Sequence, residues 1–518
     1  MANQNSFIPA APMTEQERSA GIAHFRNQLW EARSSIEFVT KFLLGLSHGS
    51  ACRVSPRSEW LGERFNVGVI VEVKERVIGA FRKVLFKCAV PAALGEDENP
   101  GSVEEKIRVD VGSYVYLKVH CPEIPVPRMH GFGFPNGHSF TEITETSTIE
   151  RLSDRFGAVV DKLVSGALDG KLLAPFAPAD CVYNLPFGFV IVDHIGPNEG
   201  RALSETWYLE AANLDLQRNL HGGIARMMLT LASLPQGKIG SYRYNDDSTV
   251  TLTSRPSLCV QAILEAEGTD RVMSLVDTHT DTPTFISDMI ELQDRYVDAQ
   301  TSDPNDGPSY GDDNDVMGAI RSVAHIFTTR ELPNGPFCLQ LPELDLNHVF
   351  VDSNWNITSI VDTEWMASLP MEMLEEPHWV TGSLAGSFHG NYTVTEARRM
   401  FMSVFAQCEL FLGTRIGVSA TRVMNRMSES RGICLYNTLM SPERSLDGSL
   451  VGILNPESSS SIATSQLYGA NMSWVRDARA IEEMQVIDRQ VYTHNATCML
   501  NDLVTQAIQR GGFSNPPN

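Results

Sequence analysis

The sequence lacks the short motifs that mark several common classes of protein. No two of its nine cysteines form a CxxC pair, so a structural zinc site is not predicted. An HExxH pair is missing, which leaves a zinc protease without support. No segment reaches the roughly 18 apolar residues of a membrane span. The first residues show no charged start followed by an apolar run, so no secretory signal is predicted.

Basic residues are few compared with acidic ones. The chain has 41 Lys and Arg against 63 Asp and Glu, a formal net charge of -22. Nucleic acids and anionic membranes are bound through Lys and Arg, so we expect neither as a partner. An acidic surface keeps a protein soluble and would favour a cationic ligand. The sparse cysteines fit reduced thiols, and we expect a cytoplasmic location.

Periodicity divides the 518 residues into a strand-rich first part and a mainly helical second part. The first part shows helical spacing over Thr14–Leu46 and Val103–Val119, and β-branched runs at Val67–Val73, Lys83–Val90 and Phe189–Val192. The second shows one apolar helix face (Ile224, Met227, Met228, Leu231) and a helix over Thr395–Leu412. This segregation predicts the α+β class rather than a doubly wound sheet.

The most informative stretch runs over residues 337–365 and reads FCLQLPELDLNHVFVDSNWNITSIVDTEW. Two short apolar strands, at Val349–Val351 and Ile357–Val361, flank a polar turn. We expect Asp352 to cap that turn with its side chain. The second strand ends in Asp362. A hairpin that ends in a carboxylate suits a site that holds a metal and phosphates.

A second candidate is Lys87, in the apolar strand VLFKCAV. A lysine in such a strand must send its ammonium to a polar place. The ordinary alternative is an edge-strand lysine that points to water. The next helix offers Glu104, Glu105 and Asp110, any of which could pair with Lys87.

Several segments resemble the aminoglycoside phosphotransferase family, especially its fungal branch. They are GERFN from Gly62, KCAVP from Lys87, NPGSVEEKIRVDVGSYVYL from Asn99, HGFGFPNG from His130 and IVDTEW before Met366. The resemblance covers roughly residues 50–400. It implies a protein-kinase-like fold with two lobes, a five-stranded antiparallel N-lobe and a mainly helical C-lobe. The implied division is a helical extension at 1–50, the N-lobe at 51–195 and the C-lobe at 196–518.

The resemblance also implies a role for each matching residue, with ATP bound in the cleft between the lobes. Lys87 would hold the phosphates, and Asp110 would position Lys87 where the family has the Glu of EVATY. Gly62 to Asn66 would cover the phosphates, and Val192 to Ile195, including His194, would bind adenine through their backbone. Asp362 would hold the metal.

The chain departs from the family in the catalytic loop, where the family reads H-x-D-L-x-x-x-N. Here Leu341 stands for the His, Glu343 for the catalytic Asp and His348 for the metal-binding Asn. Glu343 has the charge of Asp but reaches one methylene further, and Asp345 could serve as base instead. Because Mg²⁺ prefers oxygen ligands, His348 would shift the preference toward Mn²⁺.

These residues give two main functional hypotheses. The first is an ATP- and Mg²⁺- or Mn²⁺-dependent phosphotransferase that transfers the γ-phosphate to a hydroxyl of a small molecule, with weakened activity. The alternative is a pseudokinase-like protein that binds a nucleotide or ligand without transfer. Other ATP chemistry, such as adenylate transfer, is a weaker third hypothesis. No motif identifies the acceptor or the oligomeric state.

Two further groups of residues follow or flank the hairpin. The acidic run Glu372, Glu375 and Glu376 is interpreted as a solvated helix face, with the binding of a cationic group as the alternative. The tryptophans of this region are predicted to be core residues rather than a substrate box: Trp355, Trp365 and Trp379.

Overall fold

The computed structural model describes residues 15–441, except 63, 76–80, 144–170, 180, 182–184, 301–319, 322–323, 326–331, 382–393, 414–416 and 431. Parts of the predicted extension at 1–50 and of the predicted unit at 196–518 therefore lie outside the described residues. All paired strands run antiparallel, and helices cover the sheets, which agrees with the α+β class. No helix in the described ranges is long and apolar enough to cross a membrane.

The largest sheet is built from the first third of the chain. The strands of this region are β1 (Ala51–Val54), β2 (Leu61–Gly62), β3 (Asn66–Lys74), β4 (Phe81–Ala89), β5 (Met129–Gly133), β6 (Ser139–Glu142), β7 (Leu172–Leu173), β8 (Phe176–Ala179) and β9 (Phe189–Asp193). The sheet order is β1-β3-β4-β9-β5-β6-β8, with β2 also paired to β3. The expected number of five strands is wrong, because short strands extend the sheet to eight at its two edges.

One face of the centre of this sheet is apolar and fully buried. The alternating valines of β3 from Val67 to Val73 are fully buried, and so are Val84 and Phe86 of β4. β-Branched side chains suit a pleated, covered surface. Strand β4 lies between β3 and β9, with Lys87 opposite Gly68 on one side and Val190 on the other. The edge-strand interpretation of Lys87 is therefore wrong.

Three of the described helices belong to the same part of the chain. The predicted helical stretch from Thr14 forms two helices, α1 (Glu15–Glu31) and α2 (Arg33–Leu43), while α3 (Ser102–His120) is confirmed almost to the residue. The Glu96 carboxylate accepts hydrogen bonds from the N–H groups of Gly101 and Val103, at 2.8 and 2.7 Å. These bonds satisfy N–H groups that the first turn of a helix leaves unpaired. Helix α3 is buried on nearly all sides.

The second part of the chain contains the remaining described helices. They are α4 (Leu203–Glu210), α5 (Leu214–Ala232), α6 (Cys259–Ala266), α7 (Thr282–Gln300), α8 (Val394–Leu412), α9 (Ala420–Glu429) and α10 (Gly432–Met440). The apolar face predicted around Ile224 is confirmed, because all four of its residues are buried in α5. Asn213 caps α5 through its side-chain oxygen, which accepts from the N–H of Asp215 at 3.0 Å.

The short strands that lie between these helices form three small sheets, one of which also includes β7. The strands are β10 (Arg201–Ala202), β11 (Pro235–Gln236), β12 (Ser241–Tyr244), β13 (Thr249–Ser254), β14 (Phe337–Gln340), β15 (Val349–Val351), β16 (Ile357–Ile360) and β17 (Ala367–Pro370). The sheets have the orders β10-β15-β16, β11-β14-β17 and β12-β13-β7. The predicted hairpin over Val349–Val361 is confirmed as the pair β15 and β16.

Buried apolar side chains form two clusters. One joins α1, α2 and the large sheet to most of α3. The other joins the last turns of α3 to α5, the small sheets and the later helices. The three tryptophans of the hairpin region are buried as predicted. Helix α3 contributes to both clusters, and the polar residues described next lie close to it.

Candidate functional site

The β15–β16 hairpin carries the candidate site residues at its base. Asp352 caps its turn as predicted, because its Oδ1 accepts from the N–H groups of Asn354 and Asn356 at 2.8 and 2.9 Å. At the other end, the Val361 N–H donates to the carbonyl of His348 at 3.0 Å. This bond ties the loop before the hairpin to the residue that precedes Asp362.

Asp362 has an unusual backbone conformation. Its φ of 57° and ψ of 47° are left-handed, a region that non-glycine residues seldom occupy. Such a conformation costs on the order of 1–3 kcal/mol and tends to occur at functional sites. It turns the chain sharply after β16, and the nearly buried side chain of Asp362 meets Lys87.

Lys87 reaches the hairpin from the central strand β4. Its Nζ contacts the carboxylates of Asp362 and Glu364, residues 275 and 277 positions further along the chain. Lys87 and Glu364 are both buried. Burying these charges is tolerable because each lies against an opposite charge. The large sheet and the hairpin are therefore joined by an internal ion pair.

A second lysine and an amide complete this buried polar cluster. Lys106 of α3 donates from Nζ to Glu364 Oε1 at 2.6 Å and to Asn66 Oδ1 at 2.9 Å. The Asn66 amide in turn donates to Glu364 Oε1 at 2.8 Å. Burial alone would raise the pKa of Glu364, but the ammonium groups of Lys106 and Lys87 hold it well below its usual range. Glu364 is therefore a fixed negative charge.

Of the three carboxylates proposed to pair with Lys87, the structure places only Asp110 near it. Glu104 instead accepts from Arg108 at 2.8 Å, and Glu105 from Arg255 at 2.8 Å. Asp110 lies one helical turn after Lys106 and is 8% exposed. Burial raises its pKa to about 6, against the opposing charge of Lys87. Asp110 is thus a neighbour of the cluster that titrates close to neutral pH.

The altered loop sets His348 beside Asp362. His348 Nδ1 lies 2.9 Å from the carbonyl of Glu343, which can only accept, so Nδ1 carries the proton. The longer contact of Nδ1 with the Asp345 N–H, at 3.3 Å, would need the other tautomer. His348 Nε2, on the other side of the ring, lies 3.6 Å from Asp362 Oδ2. One nitrogen and one oxygen donor thus converge.

Asp345 and Glu343 differ in what their side chains do. Asp345 Oδ1 accepts from the N–H and the side-chain amide of Asn347, both at 2.9 Å, so it closes a local turn. Burial raises the pKa of Glu343, and the thiol of Cys259 is hydrogen-bonded to its carboxylate. Of the two predicted bases, Asp345 is engaged within its own turn. Glu343 lies on the wall of a cavity.

The remaining predicted binding residues lie around this cluster in different ways. Gly62 is exposed in the β2–β3 hairpin, whereas Asn66 is buried against Glu364 rather than at the surface. Val192 lies in β9, next to β4. The His194 N–H donates to the Lys83 carbonyl at 3.4 Å, and the Asp193 N–H to Arg128 at 2.9 Å. An adenine at this segment would compete with these bonds for the N–H groups.

The described part of the chain holds no group of three or more His, Cys, Asp or Glu side chains that could bind a metal by itself. Asp362 and His348 supply two donors, one oxygen and one nitrogen. A cation held there would need further ligands, as when phosphate oxygens and water complete a Mg²⁺ or Mn²⁺ site. The donor set therefore fits a metal that arrives with a phosphate ligand.

Sequence reasoning missed Lys106 and Glu364 as members of the cluster. Glu364 lies two residues after Asp362, and Lys106 lies four residues before Asp110, on the same side of α3. This spacing from residues already singled out is the signal that could have identified both.

Comparison of the chain with models of known protein families, and with curated proteins, finds no match to either.

Proposed function

We propose that this chain is an ATP-dependent phosphotransferase of the aminoglycoside phosphotransferase type, with a protein-kinase-like, two-lobed arrangement. One observation carries the proposal. Lys87, on a central strand, meets Asp362, at the base of a distant hairpin, in a buried polar cluster. A cation for phosphates and a carboxylate for metal are the two charges that phosphoryl transfer needs at one place. The resemblance described above implies these roles for Lys87 and Asp362, although it pairs Lys87 with Asp110.

Each residue then has a role set by its surroundings. Lys87 would neutralise the phosphates, and Glu364 with Lys106 would keep its ammonium in position. Asp362 and His348 would hold the metal. When bound, that metal supplies positive charge to the phosphate oxygens. Glu343 would accept the proton of the acceptor hydroxyl, a task for which a raised pKa makes it a stronger base.

The changed loop argues for weak transfer rather than ordinary turnover. Glu343 carries its carboxylate one methylene further than Asp, and a misplacement of about 1 Å can cost on the order of 100-fold in rate. A His nitrogen at 348 favours Mn²⁺ over Mg²⁺. We therefore expect activity to be higher with Mn²⁺.

A second candidate is a protein that binds nucleotide without transferring phosphate. The observation that favours it is the pairing of Lys87 with Asp362 together with the replaced base and metal ligand. Both candidates require a nucleotide site and differ only in turnover. Release of phosphate or a phosphorylated product above a Glu343→Gln control would separate them.

The experiment is ATP binding by titration calorimetry, with Mg²⁺ and with Mn²⁺. We compare the wild type with Asp362→Asn and with the control Glu210→Gln, which changes an exposed carboxylate at the end of α4. Metal-dependent binding that is lost in Asp362→Asn and kept in Glu210→Gln is expected. No ATP binding with either metal would overturn both candidates.

A further inference from the structure

A cavity of about 590 Å³ opens next to the loop that carries Glu343. This volume is within the range of small-molecule sites, roughly 300–1,000 Å³. Apolar side chains form about half of its wall, among them Met227, Met228, Leu231, Leu339 and Leu369. Polar side chains form the rest, among them Gln340, His378, Ser428 and Asn437. Methionines adapt to the shape of an apolar ligand. The wall therefore suits a ligand that has both a hydrocarbon part and polar groups.

One side of the cavity carries the acidic run that sequence analysis assigned to a solvated helix face. That interpretation is wrong, because Glu372 and Glu376 are only 1% and 5% exposed. Glu372 accepts from the hydroxyl of Tyr436 at 3.2 Å. Glu375 and Glu376 line the cavity itself. The acidic side chains are thus part of the interior.

Only one of the two carboxylate oxygens of Glu376 has a partner. Its Oε1 lies 2.8 Å from Arg398 Nε, while its Oε2 is buried and has no hydrogen-bond partner. An unpaired buried carboxylate oxygen costs more than an ordinary unmade hydrogen bond, because the group is charged. A donor inside the cavity would remove that penalty.

The charges of the cavity wall do not balance. Three carboxylates line it, those of Glu343, Glu375 and Glu376, together with the guanidinium of Arg398 and the imidazole of His378. Burial, with the adjacent charge of Glu376, raises the pKa of Glu375 to about 7. Carboxylates that are short of positive charge in an apolar enclosure favour an incoming cation.

We propose that this cavity binds a small molecule that has a hydrocarbon part, one basic amine that is held by Glu375 and Glu376, and a hydroxyl directed to Glu343. This inference rests on the proposed function, because it makes that molecule the phosphate acceptor. A single amine matches the pair of adjacent glutamates.

The test uses three probes of equal length and different charge: octylamine, 1-octanol and octanoate. Binding to the wild type is measured by calorimetry at neutral pH without nucleotide. Octylammonium should bind at least tenfold more tightly than 1-octanol, the scale of one charged hydrogen bond. Octanoate should bind most weakly. Equal affinity for octylammonium and 1-octanol would overturn the proposal.

Substitutions of the two glutamates test where octylammonium binds. Glu376→Gln and Glu375→Gln should each weaken octylammonium about tenfold or more, while Glu210→Gln leaves it unchanged. Both substitutions keep the side-chain size. If loss of the ion pair with Arg398 prevents Glu376→Gln from folding, Glu375→Gln carries the test, because Glu375 is hydrogen-bonded to the neutral side chain of Asn437. Unchanged affinity in a folded Glu375→Gln variant would contradict the proposal.

Two measurements keep this inference separate from the proposed function. If octylammonium binds as expected but ATP does not, the phosphotransferase proposal fails, and so does the role of the amine as acceptor, while amine binding stands. If ATP binds but octylammonium shows no preference over 1-octanol, only the inference about the cavity fails.

Discussion

Helix α3 takes part in two buried ion networks that differ in kind. In one, Arg255 donates to Glu105 Oε1 and Oε2 at 2.8 and 2.9 Å and also contacts both carboxylate oxygens of Glu265. In the other, Lys87 and Lys106 share Glu364, and Lys87 also contacts Asp362. Both networks are shielded from water.

The difference lies in the cations. The rigid guanidinium fork of Arg255 binds two carboxylates in fixed directions and joins α3 to α6. The ammonium of Lys87 is a compact charge on a flexible stem, so it can change partners. Beside it lie Asp362, whose backbone is left-handed, and His348 Nε2, 3.6 Å from Asp362 Oδ2. We therefore expect the first network to hold the fold together and the second to rearrange when a ligand binds.

The largest expected effect is on stability, and it comes from breaking the first network at Arg255. Arg255→Met leaves Glu105 and Glu265 buried without their main cation, so it should lower the free energy of unfolding by about 3–5 kcal/mol. Urea denaturation measures this. The matched control is Arg218→Met, which removes an exposed i,i+3 pair and should change stability by less than about 1 kcal/mol. Equal losses in the two variants would contradict a structural role for Arg255.

Lys87→Met should have a smaller effect on folding and a larger one on binding. Lys106 still neutralises Glu364, so we expect a stability loss of about 1–3 kcal/mol, the scale of a charged hydrogen bond. ATP affinity should fall at least tenfold, measured by the same calorimetric titration. If Lys87→Met loses as much stability as Arg255→Met while ATP binding persists, the two networks are alike and the comparison fails.

The effect of the altered loop on the rate of phosphate transfer is tested by restoring the residue types that the loop has lost. Glu343→Asp with His348→Asn recreates the residue types of the family that the sequence resembles, and if the proposed function holds we expect phosphate transfer to rise by roughly 10–100-fold. The assay is product formation with Mg²⁺ and with Mn²⁺, where the preference for Mn²⁺ should also decrease. Turnover that stays where it was would mean that these two substitutions do not limit the protein.

The smallest expected effect is on the pH dependence of stability, and it comes from Asp110. Its folded pKa of about 6 is above the ordinary value of about 4, so the folded state binds a proton more readily than the unfolded state between these limits. Stability should therefore fall as pH rises from about 4 to about 6, and Asp110→Asn should remove this part of the slope. Urea midpoints across that window measure it. Asp215→Asn, at an exposed carboxylate, should leave the slope intact.

The sequence predicts the elements of this fold better than the directions of its charged side chains. Runs of β-branched residues identified β3, β4 and the β15–β16 hairpin, because buried strands need such runs. The two-residue strands at the sheet edges carry too little pattern to be found. The inward direction of Lys106 and Glu364 depends on contacts between distant segments. The acidic run at Glu375 was misjudged for the same reason, since exposure is set by what packs over it.

The central claim, a nucleotide site around Lys87, is tested most directly with an acyl-phosphate derivative of ATP. A lysine next to the bound phosphates attacks the acyl carbon, keeps the acyl group and releases ATP. Mass spectrometry should find the label on Lys87, with Lys106 as the nearest alternative, and excess MgATP or MnATP should block it. The exposed Lys118 should react slowly and without protection. Labelling of Lys118 alone, unaffected by ATP, would contradict the account.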